Sequence, residues 1–478
     1  MTTVARPSRS WLVLTLVIPV LLLAALALAL LFGQGSQSEE EVKGKRRSGV
    51  VLSEVVSASA VQPAKAPPPP APGFAPQTRL GFTSGDQWEP AIAADRFGHI
   101  YILYPQYLGV PGCPDCPSPT MILQISSDRG ATWASPRQIA PPGTGQFDAQ
   151  IVVDPVDGRT VYAAWLQNGK SDTVVAKSTD FGATWSVVVA NRTNAATDKP
   201  ILAVRGQDVY VGYNHAQKVW VSSSHDGGAT FTSVNVNKTA AGKLGWSLAG
   251  GGTVDPAGNV YFGWAGYEQN GGAKGPVNLF VSKSSDGGAT WTNTVIDISG
   301  APPDCSAYLC GWAYLGAQLT MSSDAAGTLY ALWNAGTVDK GPERIFFAKS
   351  TDAGNTWSDK ADVSDATTGV NHAFPAIVAG AAGAVRISWM DAREVGSAAD
   401  PLWNTYYRSS TNGGATWSAE ADLSTFVDGF SYIFPDGFSF PFGDYYEMDI
   451  DDRGTTHAVW GEGLNYDTPG SIWYTKGR

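Results

Sequence analysis

The sequence predicts an all-β fold, a seven-bladed β-propeller preceded by one transmembrane helix, from three observations. The composition, with 43% hydrophobic residues, 54 Gly, 17 Trp, 18 Tyr and 18 Phe, is too apolar for a disordered chain and too rich in Gly for a helical one. One octapeptide occurs six times, and a short hairpin pattern occurs seven times. A six-bladed ring is the alternative.

The predicted transmembrane helix is an uncharged run of 22 residues at 11–32. At about 1.5 Å per residue, the run can cross a hydrocarbon core of about 30 Å. A cleaved signal peptide is the alternative, because Arg6 and Arg9 precede the run and the Ala-Leu-Ala sequence at 27–29 resembles a cleavage site. We favour an uncleaved anchor, since signal peptides usually have apolar runs of about 7–15 residues.

The chain is therefore divided into a short tail at 1–10, the anchor at 11–32, a stalk rich in Pro, Ala and Ser at 33–76, and the propeller at 77–478. Basic residues just after the anchor outnumber the two before it, which runs against a simple positive-inside count for an external propeller. Large domains translocate largely regardless of such charge, so this count is weak evidence on orientation. We expect a single-pass protein of the cell membrane with its propeller outside the cytoplasm, or a secreted one if the anchor is cleaved. Oligomeric state is left open.

The four cysteines form two close pairs, Cys113 with Cys116 and Cys305 with Cys310, and we predict two disulfides formed outside the cytoplasm. A zinc site is the alternative, but it would need sulfurs from loops about 190 residues apart, with no His beside either pair. We therefore predict no metal and no cofactor.

The net charge argues against one class of partner. The chain has 43 acidic and 32 basic residues, a net charge of −11. An acidic propeller has no electrostatic footprint for phosphate backbones, so nucleic-acid binding is disfavoured and we predict no nucleic-acid partner.

The octapeptide reads Ser-x-Asp-x-Gly-x-Thr-Trp, with minor variations, and its copies are 46 to 66 residues apart. This period is typical of one supersecondary unit rather than a domain. We predict a tight turn between two strands, in which the third residue accepts hydrogen bonds from the backbone and the Gly supplies positive φ. The six third positions are Asp128, Asp180, Asp226, Asp286, Asp352 and Asn412.

The hairpin pattern is an apolar strand, a turn rich in Asp and Gly, and a second strand ending in an aromatic residue. After the seventh hairpin, residues 471–475 form a third strand, and a fourth is missing at that end of the chain. We predict that 77–82 supplies it, closing the ring and burying the sheet edges. Seven units in the 407 residues from 72 to 478 give about 58 residues each, typical of a four-stranded blade.

The octapeptide resembles the Asp box, or bacterial neuraminidase repeat, and the body from about residue 77 looks like a member of the sialidase-like propeller superfamily. The resemblance implies that the boxes join third and fourth strands and that a glycan or glycoconjugate binds at the opposite mouth of the ring. It also implies what an active sialidase needs: three arginines on the substrate carboxylate, a Tyr nucleophile activated by a Glu, and an Asp acid/base.

This sequence departs from that pattern, because it has no Arg-Ile-Pro motif and few arginines near the expected mouth. The candidate nucleophile is Tyr445 or Tyr446, since alternation along a strand turns one of them toward the channel. The same residue types also suit loop packing. The other catalytic candidates, as proton donors, are Asp391, Asp148 and Glu89. The substrate-binding candidates are Arg393, Arg344, Arg192, Trp88, Trp312, Trp403 and Glu447.

Two hypotheses follow, and the sequence does not decide whether the protein is an enzyme. In the first, the propeller is an exo-acting glycoside hydrolase, similar to an exo-α-sialidase. In the second, it is a non-catalytic propeller that binds a glycan or a protein. Three guanidinium groups converging beside a tyrosine hydroxyl would favour catalysis, because an anionic sugar needs a fixed cationic clamp.

Overall fold

A computed structural model of the protein describes residues 69–141, 143–239, 246–269, 274–303, 315–394, 402–424, 443–463 and 470–478. These residues form seven antiparallel sheets, which confirms the seven-bladed propeller over the six-bladed alternative. The helical structure within them is one 3-10 turn, Asn237–Thr239. No helix in these ranges is long and apolar enough to cross a membrane. The predicted anchor at 11–32 lies outside the described residues.

Each blade has four strands, ordered from the innermost outward. The first three blades are β3 (Ala91–Ala94), β4 (Ile100–Tyr107), β5 (Thr120–Ser126) and β6 (Arg137–Gln138), with β2 (Asp86–Gln87) also pairing β4; β7 (Gln146–Val153), β8 (Val161–Gln167), β9 (Asp172–Ser178) and β10 (Ser186–Arg192); and β11 (Thr197–Arg205), β12 (Asp208–His215), β13 (Lys218–Ser224) and β14 (Thr232–Asn235).

The remaining four blades follow the same order. They are β15 (Trp246–Val254), β16 (Val260–Gln269), β17 (Lys274–Ser284) and β18 (Thr292–Ser299); β19 (Leu319–Ser323), β20 (Leu329–Ala335), β21 (Arg344–Ser350) and β22 (Ala361–Asp362); β23 (His372–Ala379), β24 (Val385–Glu394), β25 (Leu402–Ser410) and β26 (Ala421–Asp422); and β27 (Glu447–Ile450), β28 (Thr456–Gly463), β29 (Gly470–Gly477) and β1 (Thr78–Leu80).

The last blade closes the ring as the sequence predicts. Strand β1 pairs antiparallel with β29, with Arg79 opposite Trp473. Arg129, in the octapeptide turn of the first blade, forms ion pairs with Asp451 and Asp452 of the last blade. The first and last segments of the propeller therefore share one sheet, in which β1 covers the outer edge of β29.

The octapeptides form turns between third and fourth strands. In the first, Asp128 Oδ1 accepts hydrogen bonds from the backbone N–H groups of Ala131 (3.0 Å) and Thr132 (2.8 Å), and Thr132 Oγ1 donates to Oδ2 at 2.6 Å. These bonds, chiefly those from Thr132, lower the pKa of Asp128 to about 2, since they stabilise the ionised form. In the sixth turn, Asn412 Nδ2 donates to Thr416 Oγ1 at 2.8 Å, so the amide replaces the carboxylate.

The core lies between adjacent blades. The aromatic residues that end the predicted hairpins are all fully buried, and each packs in the space between two adjacent sheets. They are Tyr104, Trp165, Tyr213, Trp264, Trp333, Trp389 and Trp460.

The fourth and fifth blades approach most closely near the propeller axis, where glycines form part of the innermost strand. A Cβ atom at Gly250 would lie 2.2 Å from the carbonyl oxygen of Leu319, and one at Gly251 would lie 2.7 Å from the backbone nitrogen of Met321. The two backbones can come this close only because neither glycine has a side chain.

Candidate functional site

A channel of about 790 Å³ runs along the propeller axis and is lined by the innermost strands of the blades. In a four-stranded antiparallel blade, the innermost strand begins at the end opposite the turn between strands three and four. We call the end where these strands begin the mouth. The octapeptide turns therefore lie on the other face of the ring.

Four residues at or near the start of an innermost strand have positive φ without being glycine: Glu89 (52°), Asp148 (57°), Lys199 (53°) and Phe374 (54°). The last three lie beside β-bulges in β7, β11 and β23. A left-handed residue other than glycine costs about 1–2 kcal/mol. Backbone strain of this kind is common at functional sites. In this ring, the left-handed conformation directs the charged side chains of Glu89, Asp148 and Lys199 into the interior.

The charged side chains meet next to Tyr445. Lys199 Nζ forms an ion pair with Asp444 and lies 4.6 Å from the centroid of the Tyr445 ring. The Asp444 N–H donates to Glu89 Oε1 at 3.2 Å, and Gln318 Nε2 donates to the Asp444 carbonyl oxygen at 3.3 Å. Residues from the first, third, fifth and seventh blades thus converge at one point. We call Glu89, Asp148, Lys199, Asp444 and Tyr445 the mouth cluster.

The mouth cluster keeps Lys199 charged and Tyr445 neutral. Burial works against the ammonium, but Asp444 and Glu89 outweigh it and raise the pKa of Lys199. Burial, then the nearby charges of Glu89, Asp148 and Asp444, raise the pKa of Tyr445 well above its usual value. The Tyr445 hydroxyl is buried and has no hydrogen-bond partner among the described residues. It is therefore a neutral donor with unused hydrogen-bonding capacity.

Farther along the channel from the mouth, two carboxyl groups of β27 join the last blade to the first. Glu447 Oε2 accepts the Ile92 N–H at 3.1 Å, and Oε1 accepts Gln150 Nε2 at 2.5 Å. Asp449 Oδ2 accepts the Ala94 N–H at 2.7 Å. Burial raises the pKa of Glu447 to about 8 and that of Asp449 to about 7, because low-dielectric surroundings disfavour the ionised form.

Of the two candidate nucleophiles, the structure places Tyr445 in the mouth cluster. The Tyr446 side chain packs with Met448 and Trp460 in the core between the sixth and seventh blades. Its hydroxyl lies 2.6 Å from Ser388 Oγ. Strand alternation explains the split, since Tyr445 and Glu447 share one face of the strand and Tyr446 has the other.

The three predicted arginines are each paired with a carboxylate and do not meet at the mouth cluster: Arg344 and Arg393 both contact Ser364 between the fifth and sixth blades, and Arg192 lies on the second blade. Arg192 pairs with Asp172 on the second blade and is two-thirds exposed. On the fifth blade, Arg344 pairs with an aspartate of β22. On the sixth, Arg393 binds Asp391 at 2.5 Å and lies 3.6 Å above the ring of an adjacent tyrosine. The candidate proton donor Asp391 is thus an arginine partner away from the mouth cluster.

The predicted tryptophans are enclosed by protein. Trp88 is 2% exposed, stacks on Tyr107 with ring centroids 4.4 Å apart and donates to Asp86. Trp403 is 1% exposed. Neither indole presents a ring face to solvent among the described residues. Trp312 lies outside the described residues.

Cys113 and Cys116 form a disulfide in the connection between the second and third strands of the first blade. Cys305 and Cys310 lie outside the described residues. Within the described ranges, no three His, Cys, Asp or Glu side chains are grouped so as to hold a metal ion.

Sequence reasoning missed Lys199, Gln150 and Gln318. A signal for Lys199 was available: it precedes a proline at the start of an innermost strand, as do Glu89 and Phe374. Aligning those positions would have placed Lys199 at the mouth. Nothing comparable marks Gln150 or Gln318, because their roles depend on which blade lies opposite.

No protein-family model matches the chain, and no curated protein matches it. Among solved structures, it is similar to a protein of unknown function from Dyadobacter fermentans (15% identity, TM-score 0.46, 85% of this chain and 99% of that one). It is also similar to the Hadza microbial sialidase Hz136 (14% identity, TM-score 0.42, 82% of this chain and 66% of that one). A third similar structure is an ulvan lyase of polysaccharide lyase family PL25 (10% identity, TM-score 0.49, 83% of this chain and 95% of that one).

What those proteins bind or cleave is a property of those proteins. The architecture of this chain is established by its own strand pairing, with seven four-stranded units, octapeptide turns between the third and fourth strands, and closure by β1. This is the seven-bladed propeller, with its octapeptide turns between third and fourth strands, that the repeats predict.

Proposed function

We propose that the protein is a membrane-anchored, extracytoplasmic propeller that binds a glycan at the mouth cluster. The observation that supports this most is the convergence of Tyr445, Lys199 and the carboxylates of Glu89 and Asp444 at one end of the axial channel. A rigid ring that presents mixed donors and acceptors beside an aromatic side chain suits the hydroxyl groups and apolar faces of a sugar. The resemblance carried by the octapeptides points to the same ligand class and the same face.

Recognition without hydrolysis is favoured over sialidase chemistry. The candidate guanidinium groups are paired elsewhere, and the mouth cluster has more carboxylates than ammonium groups. Such a site repels the carboxylate of an acidic sugar. The raised pKa of Tyr445 also keeps its hydroxyl protonated, which weakens it as a nucleophile.

Exo-acting hydrolysis is the second candidate, favoured by one observation. Burial and the charges of Glu89 and Asp148 raise the pKa of Tyr445, so these two carboxyl groups lie near the tyrosine. In that reaction Tyr445 would attack the anomeric carbon, and Glu89 or Asp148 would protonate the departing oxygen.

A glycan array with the full-length chain in detergent tests binding. Tyr445→Phe removes one hydroxyl from the mouth cluster, and Tyr446→Phe is the matched control because its hydroxyl faces the blade core. We expect binding that Tyr445→Phe weakens and Tyr446→Phe preserves. Equal binding by both variants, or no binding to any glycan, would contradict the proposal.

Release of 4-methylumbelliferone from its glycosides, the sialoside included, tests hydrolysis with the same two variants. Turnover lost only in Tyr445→Phe would replace the binding proposal by the hydrolytic one. For the anchor, we expect the chain to stay in membranes after carbonate extraction. Release into the supernatant would show that the segment at 11–32 does not hold it there.

A further inference from the structure

A second group of reactive side chains lies between the fifth and sixth blades, apart from the mouth cluster. Ser364 is in the connection that follows β22, and His372 is the first residue of β23. The two are joined by a contact of 2.8 Å between Ser364 Oγ and His372 Nε2. His372 is fully buried, whereas Ser364 is partly exposed to solvent. A serine within hydrogen-bonding distance of an imidazole is the arrangement that activates a hydroxyl nucleophile.

The surroundings of His372 determine which nitrogen carries its proton. Nδ1 lies 2.9 Å from the carbonyl oxygen of Glu343 and 3.0 Å from that of Val370. Carbonyl oxygens only accept hydrogen bonds, so Nδ1 carries the hydrogen. Burial lowers the pKa of His372, which keeps the ring neutral and leaves Nε2 as an acceptor. Nε2 is therefore the base to which the Ser364 hydroxyl donates.

The contacts of Ser364 Oγ also indicate that its hydroxyl hydrogen points toward His372. The Ala366 N–H donates to Oγ at 3.1 Å, and Arg393 Nη2 donates to it at 3.3 Å. A hydroxyl has one hydrogen and two lone pairs, and these two donors occupy the lone pairs. The hydrogen is left for His372. Both donors also stabilise negative charge that develops on Oγ, although the Arg393 guanidinium shares its charge with Asp391 and Glu420.

The segment around Ser364 is held in place from several sides. Arg344 Nη2 donates to the Ser364 carbonyl oxygen at 3.2 Å, and Arg408 Nη1 donates to that of Val363 at 2.8 Å. The Asp365 N–H donates to a glutamate of the sixth blade at 3.0 Å. A nucleophile positioned in advance by its neighbours loses little entropy on reaction.

The charges around the imidazole also suit a transient imidazolium. Asp391 Oδ2 lies 3.6 Å from His372 Nε2 and is fully buried. Arg344 and Arg393 oppose the positive charge of the ring, but both are paired with carboxylates, Arg344 with Asp362 and Arg393 with Asp391.

We propose that Ser364 and His372 form a second catalytic site, which hydrolyses carboxylic esters through an acyl-serine intermediate. Ser364 Oγ attacks the ester carbonyl carbon, its proton passes to His372 Nε2, and the carbonyl π electrons move onto oxygen as an oxyanion beside Arg393. When the carbonyl re-forms, the carbon–oxygen bond to the alcohol breaks and the alcohol takes the proton from Nε2. Water then cleaves the acyl-serine by the same proton path, which yields the carboxylic acid and restores Ser364.

Covalent labelling of the full-length chain with an alkyl fluorophosphonate tests this proposal. The serine oxygen attacks phosphorus and fluoride leaves, so peptide mapping identifies the modified residue directly. We expect modification of Ser364, and none of Ser358, an exposed serine without an imidazole neighbour. His372→Gln is expected to slow the labelling by about 100-fold or more, the contribution typical of a general base.

Hydrolysis of p-nitrophenyl acetate gives the second readout. Ser364→Ala is expected to abolish it, and Ser358→Ala to leave it unchanged, with circular dichroism confirming that each variant is folded. The proposal is overturned if Ser364 of the unaltered chain is not labelled, if His372→Gln is labelled as fast as the unaltered chain, or if ester hydrolysis survives in Ser364→Ala. None of these results depends on whether the mouth cluster binds a glycan.

Discussion

The buried carboxyl of Glu447 makes the stability of the propeller depend on pH. Burial raises the pKa of this group from its ordinary 4.5 to about 8 in the folded chain. The folded state therefore holds the proton more tightly than the unfolded chain does, so the stability is fully present below pH 4.5 and is lost as pH rises through about 8. A pKa change of this size corresponds to a loss of about 5 kcal/mol from the free energy of unfolding, since each pKa unit is worth about 1.36 kcal/mol.

Glu447→Gln removes the titration while keeping a polar side chain of the same length in the channel. We expect urea unfolding of the unaltered chain to show a free energy of unfolding several kcal/mol lower at pH 9 than at pH 5. The variant should lose the part of that difference that Glu447 contributes, while Asp449, whose pKa is raised to about 7, keeps its own part. Glu268→Gln is the matched control, because Glu268 is exposed on the fourth blade. The same pH dependence in the unaltered chain and in Glu447→Gln would refute the reasoning.

Three further predictions concern stability and are checked by urea or thermal unfolding. Lys199→Met leaves its partly buried carboxylate partner, Asp444, without a counter-charge and should destabilise the chain by about 3 kcal/mol; an unchanged midpoint would show that the ion pair is not shielded from water in solution. Gly250→Ala places a Cβ atom 2.2 Å from the Leu319 carbonyl oxygen and should cost about 2–3 kcal/mol, whereas Gly143→Ala, in open space, should cost less than about 0.5 kcal/mol. Tyr446→Phe removes one buried hydrogen bond and should cost about 1 kcal/mol; a larger loss would indicate a further role for that hydroxyl.

The strands and turns were largely predictable from the sequence because the interactions behind them are local. The octapeptide places an Asp or Asn four residues before a Thr whose N–H and hydroxyl it binds, and the hairpin aromatics end strands whose inward face is apolar. Closure by 77–82 was also predictable, since only one strand was missing from seven repeated units. Alternation along β27 limited the channel tyrosine to one of two neighbours.

The candidate site was less predictable, because its members are brought together by the closed ring. Glu89 and Asp444 are 355 residues apart and meet only because the first and last blades are neighbours. The sequence predicts Arg192 and Arg393 as substrate-binding residues, but each of them pairs with an aspartate on its own blade.

The sequence by itself thus determined the repeated unit, the number of blades and the two faces of the ring, since these depend on contacts within a few dozen residues. Only the tertiary structure decided which charges meet at Tyr445 and which serine lies against His372. Those contacts are set by the spacing between adjacent innermost strands and by connections between blades, and no local pattern of residues encodes either.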